Sequence, residues 1–145
     1  AAGQGNLLLN IGPKPDGSVP QEAVDRLTAV GKWLDKYGEA VYGNVARAQM
    51  EWMSIGNWST KDRAAYFWCT RWPGRELAIG GLKSRVTSAT MLDTGRKIMF
   101  TQTKDRLVLR GLPSACPDKV AGVHVIKLAM KDKPLQSMGA GCEPV

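Results

Sequence analysis

The chain has 145 residues, of which 43% are hydrophobic, and its mean hydropathy is −0.23. These values are typical of a soluble globular protein with one modest domain, or one domain and part of another. No apolar run approaches the roughly 20 residues that a membrane-spanning helix needs, so we expect no membrane partner. The net charge of +7 comes from residues 44–145, where 16 Lys and Arg outnumber eight Asp and Glu. These cations are dispersed, so the sequence argues against nucleic-acid binding.

The first segment with a clear pattern is a short apolar run at residues 6–12 that ends in glycine. Such a run predicts a strand that is buried on both faces. Residues 14–17 then predict a turn. Ser18 and Gln21 have the spacing of a capping box at the start of a helix. Because the chain begins without a methionine or a signal segment and reaches this strand at once, we expect it to be part of a longer protein.

Residues 20–37 predict an amphipathic helix, which Gly38 would end. Its apolar stripe consists of Val24, Leu27, Val30, Leu34 and Tyr37. A strand, a tight loop and a helix together make one β/α unit. Since such a unit cannot bury both of its faces alone, residues 1–43 predict missing neighbours.

Beyond residue 43 the pattern alternates, as in strands. The predicted strands are residues 65–71, 76–79, 85–92, 97–102, 106–110 and 123–129. The first two are predicted to pair with each other, and 97–102 and 106–110 are predicted to form a second hairpin. Short strands separated by turns indicate an antiparallel β-sandwich. Residues 44–60 give no clear pattern, and the tail from residue 131 is expected to be loose.

One family pattern runs through the first part of the chain in a single register. Its residues are Gly5-Asn6-Leu7-Leu8-Leu9-Asn10-Ile11-Gly12-Pro13, Asp16-Gly17, Pro20, Arg26-Leu27, Gly31-Lys32-Trp33-Leu34 and Gly38-Glu39-Ala40-Val41-Tyr42-Gly43. This pattern resembles the last strand and helix of the catalytic barrel in α-L-fucosidases of glycoside hydrolase family 29. The rest is similar, more loosely, to that family's terminal sandwich. The matching residues there are Thr60-Lys61, Tyr66, Trp72-Pro73-Gly74, Gly81-Leu82, Val86, Leu92 and Leu112-Pro113.

The resemblance implies a mainly β chain, in which a β/α remnant of a (β/α)8-like barrel (residues 1–43) precedes a C-terminal antiparallel β-sandwich (residues 44–145). It implies an enzyme without a cofactor that removes terminal α-L-fucose from glycans with retention of configuration. Its partner is a fucosylated glycan, bound through the upstream barrel. The family's catalytic carboxylates lie on earlier barrel strands, so we expect no catalytic residue in this chain. A secreted, periplasmic or lysosomal location is also implied.

Two residues are candidates for substrate binding. Asn10 lies at the end of the predicted barrel strand, where active sites gather, and either braces the neighbouring loop or approaches the sugar pocket. Asp16 lies close by, but Asp-Gly in this context is ordinary turn chemistry. Trp72 precedes a Pro-Gly turn and is the tryptophan that we expect to be most exposed, as a sugar-stacking residue would be. For the group of Trp52, Trp58, Trp68 and Trp72, packing is the favoured interpretation.

The remaining reactive side chains indicate structure rather than chemistry. His124 is the only histidine and lies in a predicted strand without a nucleophile motif, so we expect it to be structural and predict no metal site. Cys69, Cys116 and Cys142 lack the spacing of a zinc site or a disulfide scaffold. A Cys116–Cys142 bond stays open, although free thiols are favoured. Solvated helix charges are expected at Glu22, Asp25, Asp35 and Glu39.

Two rival hypotheses belong to other classes of protein. One is a carbohydrate-binding sandwich that acts by itself, which an exposed Trp72 beside another aromatic ring would favour. The other is a purely structural sandwich within an assembly.

Overall fold

The structure is a computed structural model, and it describes residues 7–43, 45–47, 54–104 and 106–137. Within these ranges the chain forms one α-helix, one short 3₁₀ helix and eight strands. They are α1 (Gln21–Tyr37), the 3₁₀ helix (Gly38–Ala40), β1 (Ala46–Arg47), β2 (Gly56–Lys61), β3 (Ala64–Cys69), β4 (Glu76–Gly80), β5 (Val86–Met91), β6 (Met99–Gln102), β7 (Arg106–Arg110) and β8 (His124–Met130).

The predicted strand at residues 6–12 is wrong for the described part of that segment. Residues 7–12 have no regular structure, and Leu7, Leu8 and Leu9 are 88%, 94% and 59% exposed. A strand requires a neighbour to pair with its backbone N–H and C=O groups. No described strand pairs with this segment, and its leucines are left exposed by the part of the chain that the structure describes.

The predicted helix is confirmed, including its end at Gly38, but its start differs from the prediction. Pro20 is the N-cap and no side chain caps the helix, so the capping box does not form. The Ser18 hydroxyl instead donates to Asp16 Oδ1 at 2.7 Å. At the other end Gly38 keeps right-handed dihedral angles, and the chain continues through the 3₁₀ helix to Ala40. The α-helix therefore ends at Tyr37 as predicted, and a single 3₁₀ turn follows it.

The predicted antiparallel sandwich is confirmed, and so is the β6–β7 hairpin. The described strands form a five-stranded sheet in the order β1-β2-β3-β8-β5 and a three-stranded sheet in the order β4-β7-β6. The predicted pairing of residues 65–71 with 76–79 is wrong. β3 pairs with β2 and β8, while β4 crosses to the other sheet and pairs with β7. Since β2 and β8 occupy both edges of β3, no edge is left for β4.

β3 is buried on both faces, which explains its continuous apolar sequence. Ala65, Phe67 and Cys69 belong to the core between the two sheets. Tyr66 and Trp68 belong to a second apolar cluster, on the α1 side of the sheet. The five-stranded sheet is therefore the middle layer between α1 and the three-stranded sheet.

Residues 131–137 are held against the sandwich, so the expectation of a loose tail does not hold there. Gln136 is buried, forms a bridge with Leu82 and donates to the Gly80 carbonyl at 2.7 Å. The Ser84 hydroxyl donates to the Lys133 carbonyl and accepts the Leu135 N–H. The rest of the predicted tail, residues 138–145, lies outside the described residues.

Candidate functional site

The last turn of α1 packs on the five-stranded sheet through two aromatic residues. The Trp33 indole N–H donates to the Val123 carbonyl at 2.8 Å. Its ring lies 4.8 Å from that of Tyr37 and 5.4 Å from that of Trp68, measured between centroids. Tyr37 is fully buried. The junction of helix and sandwich is therefore well packed.

His124, the first residue of β8, is the centre of this junction. Its ring is fully buried, and Nδ1 lies 2.8 Å from the Tyr37 hydroxyl. Nε2 lies 3.6 Å from Asp93 Oδ1, which is too long for a good hydrogen bond. Since a carboxylate only accepts, the proton belongs on Nε2, and Nδ1 then accepts the hydroxyl proton of Tyr37.

Burial controls the ionisation of this group. It lowers the pKa of His124, although the carboxylates of Asp93 and Asp118 act in the opposite direction. Burial also raises the pKa of the Tyr37 hydroxyl, with Asp93 and Asp118 adding to the effect. Both rings are therefore neutral near pH 7. The arrangement is suited to holding α1 on the sheet, and an enclosed pair of neutral rings offers no nucleophile to a substrate.

Glu39 makes a second polar contact between the helix and the sheet while it stays exposed, as expected of a solvated charge. Its Oε1 accepts a hydrogen bond from the Tyr66 hydroxyl at 2.8 Å and another from the Lys127 ammonium group. Burial alone would raise the pKa of the Glu39 carboxyl, but these two contacts outweigh burial and lower it. Sequence reasoning missed this ion pair because its partners are 88 positions apart.

The structure places the two substrate-binding candidates in different surroundings. Asn10 is exposed and lies in the irregular segment before α1. Trp72 is only half-buried, yet its indole N–H donates to the Pro113 carbonyl at 2.7 Å and its ring meets His124 edge-on at 5.6 Å. The aromatic neighbour of Trp72 is thus a buried histidine rather than a second exposed ring. A role in substrate binding stays a prediction for both residues.

The packing interpretation of the other tryptophans is confirmed where the structure describes them. Trp58 is buried against Phe67, with ring centroids 4.7 Å apart. The Trp68 indole N–H donates to the Ser59 hydroxyl at 2.8 Å. Trp52 lies outside the described residues.

Asp16 is a turn residue, as predicted. Its Oδ1 accepts hydrogen bonds from the hydroxyl and the backbone N–H of Ser18, and these contacts lower the pKa of the carboxyl. Gly17 follows with a φ of +82°, a conformation that glycine adopts without strain. Asp16 is thus engaged in local backbone geometry.

Cys69 and Cys116 are free thiols, as the sequence favours, and Cys142 lies outside the described residues. Burial raises the pKa of the Cys69 thiol, which makes it unreactive. In the described ranges no cluster of three or more His, Cys, Asp or Glu side chains is placed to hold a metal ion. No helix in those ranges combines the length and apolar character that crossing a bilayer would require.

Comparison with known proteins identifies the family. The family model for α-L-fucosidase matches residues 1–39. The tissue α-L-fucosidase of Rattus norvegicus is 41% identical over 119 residues, which cover 78% of this chain. The chain belongs to the α-L-fucosidase family. The chain spans only a quarter of the length of this relative, since the match covers 25% of the rat protein.

Solved fucosidase structures share this fold. α-L-Fucosidase isoenzyme 1 from Paenibacillus thiaminolyticus matches with a TM-score of 0.81 and 28% identity, over 90% of this chain and 32% of the other. A family 29 α-L-fucosidase from Bacteroides thetaiotaomicron, described as a trapped covalent intermediate with 2-fluoro-fucosyl fluoride, matches with a TM-score of 0.71 and 29% identity. That match covers 84% of this chain and 28% of the other. The sandwich and the helix beside it are therefore a recurrent part of fucosidases.

Proposed function

We propose that this chain is part of a retaining α-L-fucosidase that removes terminal α-L-fucose from glycans. In this proposal residues 1–43 end the catalytic barrel, and the sandwich supports them. The fucosylated substrate binds to the part of the barrel outside this chain. The enzyme works in a secreted, periplasmic or lysosomal location, as its sequence resemblance implies.

The observation that carries the proposal is the unequal covering of α1. Its C-terminal turn is buried on the sheet through Trp33 and Tyr37. Three apolar residues nearer its start are exposed: Val24, Leu27 and Val30 are 40%, 40% and 50% exposed. The irregular segment before it exposes Leu7–Leu9 as well. Exposed large apolar side chains in such number are typical of a contact with another part of a protein, and neighbouring barrel strands and helices would supply that contact.

The catalytic carboxylates are proposed to lie outside this chain. A retaining glycosidase needs two of them about 5–5.5 Å apart, one of which attacks the sugar and forms a covalent intermediate. Six described carboxylates form hydrogen bonds, ion pairs or close polar contacts within this chain, in a turn, in the helix, at the junction or on the sheets. They are Asp16, Asp25, Glu39, Glu76, Asp93 and Asp118. The trapped covalent intermediate of the Bacteroides relative supports the retaining mechanism.

The direct test compares the 145-residue chain with the complete enzyme that contains it. We expect the complete enzyme to hydrolyse 4-nitrophenyl α-L-fucoside and to release fucose of α configuration first, as proton NMR would detect. We expect the chain alone to be inactive. Release of β-fucose would contradict the retaining mechanism, and turnover by the purified chain would contradict the placing of the carboxylates.

A substitution tests the supporting role of the sandwich. Phe67 is fully buried between the sheets, so Phe67→Ala in the complete enzyme should cost about 3–5 kcal/mol in the free energy of unfolding. Activity should fall with the folded fraction, while the Michaelis constant stays unchanged. Met99→Ala is the control, because Met99 is 71% exposed and should cost much less. A Phe67→Ala enzyme with normal stability and a greatly raised Michaelis constant would place the sandwich in substrate binding.

A further inference from the structure

A cleft of about 1020 Å³ opens between β5 and β6, which are outer strands of the two sheets. Gln102 joins the two strands across the cleft. Its Oε1 accepts the Val86 N–H at 2.8 Å, and its Nε2 donates to the Ser84 carbonyl at 2.9 Å. The side chain thus satisfies backbone groups at the edge of β5 and keeps the two sheet edges apart at a fixed spacing.

Among the residues that the structure describes, every charged one that lines the cleft is a cation. These cations are Lys83, Arg85, Lys104 and Lys131. Each of the four is exposed, and none takes part in an ion pair within residues 7–43, 45–47, 54–104 and 106–137. Cations gathered round a concave surface raise the local concentration of anions. Their charge is thus available to a ligand that carries a negative group.

The floor of the cleft is apolar. Leu82 and Val86 are 1% and 5% exposed, and the half-buried ring of Phe100 lies beside them. An aromatic ring with a partly free face can pack on the apolar C–H face of another ring. An apolar floor beneath a cationic rim favours a ligand that has both a ring and an acidic group, over a simple inorganic ion.

We propose that this cleft binds an acidic glycan, meaning a sugar chain that carries a sulfate or a carboxylate group. The proposal rests on the proposed function, because it gives the fucosidase a second contact with its glycoconjugate substrate. Lys83 and Arg85 supply charge-assisted hydrogen bonds to the acidic group, and Phe100 contacts a sugar ring. The volume of the cleft lies at the upper end of the range for small-molecule sites, which is about 1,000 Å³. It therefore admits a short oligosaccharide.

The cleft lies far from the junction between α1 and the sheet. Lys131 follows the last residue of β8, whereas His124, at the α1 junction, is the first. The seven residues of β8 span about 23 Å at 3.3 Å per residue. The cleft and the junction are therefore at opposite ends of the strand, and a barrel that covers α1 does not need to cover the cleft.

The test uses the complete enzyme and probes without fucose, so that the active site does not contribute to binding. The probes are N-acetyllactosamine, its 3′-sulfated form and its 3′-sialylated form, with titration calorimetry to measure the dissociation constants. We expect the acidic forms to bind about tenfold more tightly than the neutral one. Raising the salt concentration from 0.15 M to 1 M should remove most of that difference, because the charges are exposed.

Two double variants with the same change in net charge locate the site. Lys83→Gln/Arg85→Gln should weaken binding of the acidic probes about three- to tenfold. Arg71→Gln/Arg75→Gln is the matched control, since both residues are exposed on the β3–β4 connection and do not line the cleft. The control should bind the acidic probes as the unaltered enzyme does. Both variants should hydrolyse 4-nitrophenyl α-L-fucoside normally.

The outcomes separate this proposal from the proposed function. A preference for the sulfated or the sialylated probe alone supports the cleft and identifies the acidic group. The proposal would be overturned if all three probes bound equally, or if both double variants lost the same affinity for the acidic probes. Tighter binding of an oligothymidylate than of the acidic probes would also overturn it. An enzyme that does not hydrolyse the neutral fucoside would overturn the proposed function instead.

Discussion

At the scale of single residues, the unusual feature is a histidine whose charge is opposed by burial. Two carboxylates near His124 favour its protonated form, but its ring is fully buried and its Nε2 is 3.6 Å from Asp93. A charge removed from water requires close, well-directed partners to be stable. Asp93 is too far for a short hydrogen bond, so burial determines the direction of the shift, and the pKa lies below its ordinary value of 6.5.

This shift predicts that stability falls as the solution becomes acidic. The unfolded chain takes up the His124 proton near pH 6.5, whereas the folded chain resists it until the pH is lower. Stability is therefore fully present above about pH 6.5 and is lost as the pH falls towards the folded pKa, by at most about 1.4 kcal/mol per pH unit. Urea unfolding from pH 7.5 to 5.5 would measure this slope.

The control for this prediction is His124→Gln, which keeps a hydrogen-bond acceptor for Tyr37 but cannot titrate. It should be less stable at pH 7.5 and show a flatter profile. Glu39 contributes in a separate window, since its lowered pKa affects stability only below its ordinary value of 4.5. Equal slopes for both proteins between pH 7.5 and 5.5 would contradict the assignment to His124.

At the scale of elements, β2 and β3 approach each other very closely at Gly56. A Cβ atom at this position would lie 2.2 Å from the Trp68 carbonyl oxygen and 2.6 Å from the Phe67 ring. The Trp68 carbonyl belongs to the backbone of a paired strand, so it cannot move aside for an added Cβ as the end of a flexible side chain can. The close approach brings Gly56 opposite Cys69 and completes the six-residue register of the two strands.

Gly56→Ala should therefore destabilise the chain by about 1–3 kcal/mol, as overpacking does in a core. Gly31→Ala is the control, because a Cβ added there meets nothing within 4 Å. Gly31 lies inside α1, where alanine is preferred to glycine by about 0.5–1 kcal/mol, so this variant should be unchanged or more stable. Thermal unfolding of both variants measures the two effects, and a harmless Gly56→Ala would show that β2 is not held against β3 in this way.

At the scale of the whole molecule, the chain has a buried sandwich and a helix that is covered on one side only. β3 and β8 are paired on both edges and packed on both faces, so their amides open only when the sandwich unfolds. The first turns of α1 and the segment before it have few such contacts. The stability of the chain is therefore concentrated in the sandwich.

Hydrogen exchange should reflect this difference. We expect amides of Ala64–Cys69 and His124–Met130 to exchange slowly and those of residues 7–30 to exchange rapidly in the 145-residue chain. In the complete enzyme residues 7–30 should become protected, because the barrel would then cover Leu7–Leu9 and the outer face of α1. Strong and equal protection of both regions in the monomeric chain would contradict this division.

The sequence by itself determined the elements whose pattern is local. The 3.6-residue period of α1 and the succession of short strands depend on neighbours within a few positions, and the helix, the six predicted strands and the β6–β7 hairpin were confirmed. The predicted alternation does not hold in β3 and β4, which are buried at consecutive positions. Asp16 and Gly17 likewise identified a turn from adjacent residues. The family pattern also belongs to this level, since it is a property of residue identity and spacing. A local period shows that one face is buried, but it does not identify what covers that face.

Only the tertiary structure decided the partners. Tyr37 meets His124 from 87 positions away, and Glu39 meets Lys127 from 88. β3 pairs with β2 and β8 rather than with β4, because the strand that completes an edge is chosen by the packing of both sheets together. The predicted strand at residues 7–12 did not form for the same reason. Its apolar sequence specifies burial, and burial requires neighbours that the described residues of this chain do not provide.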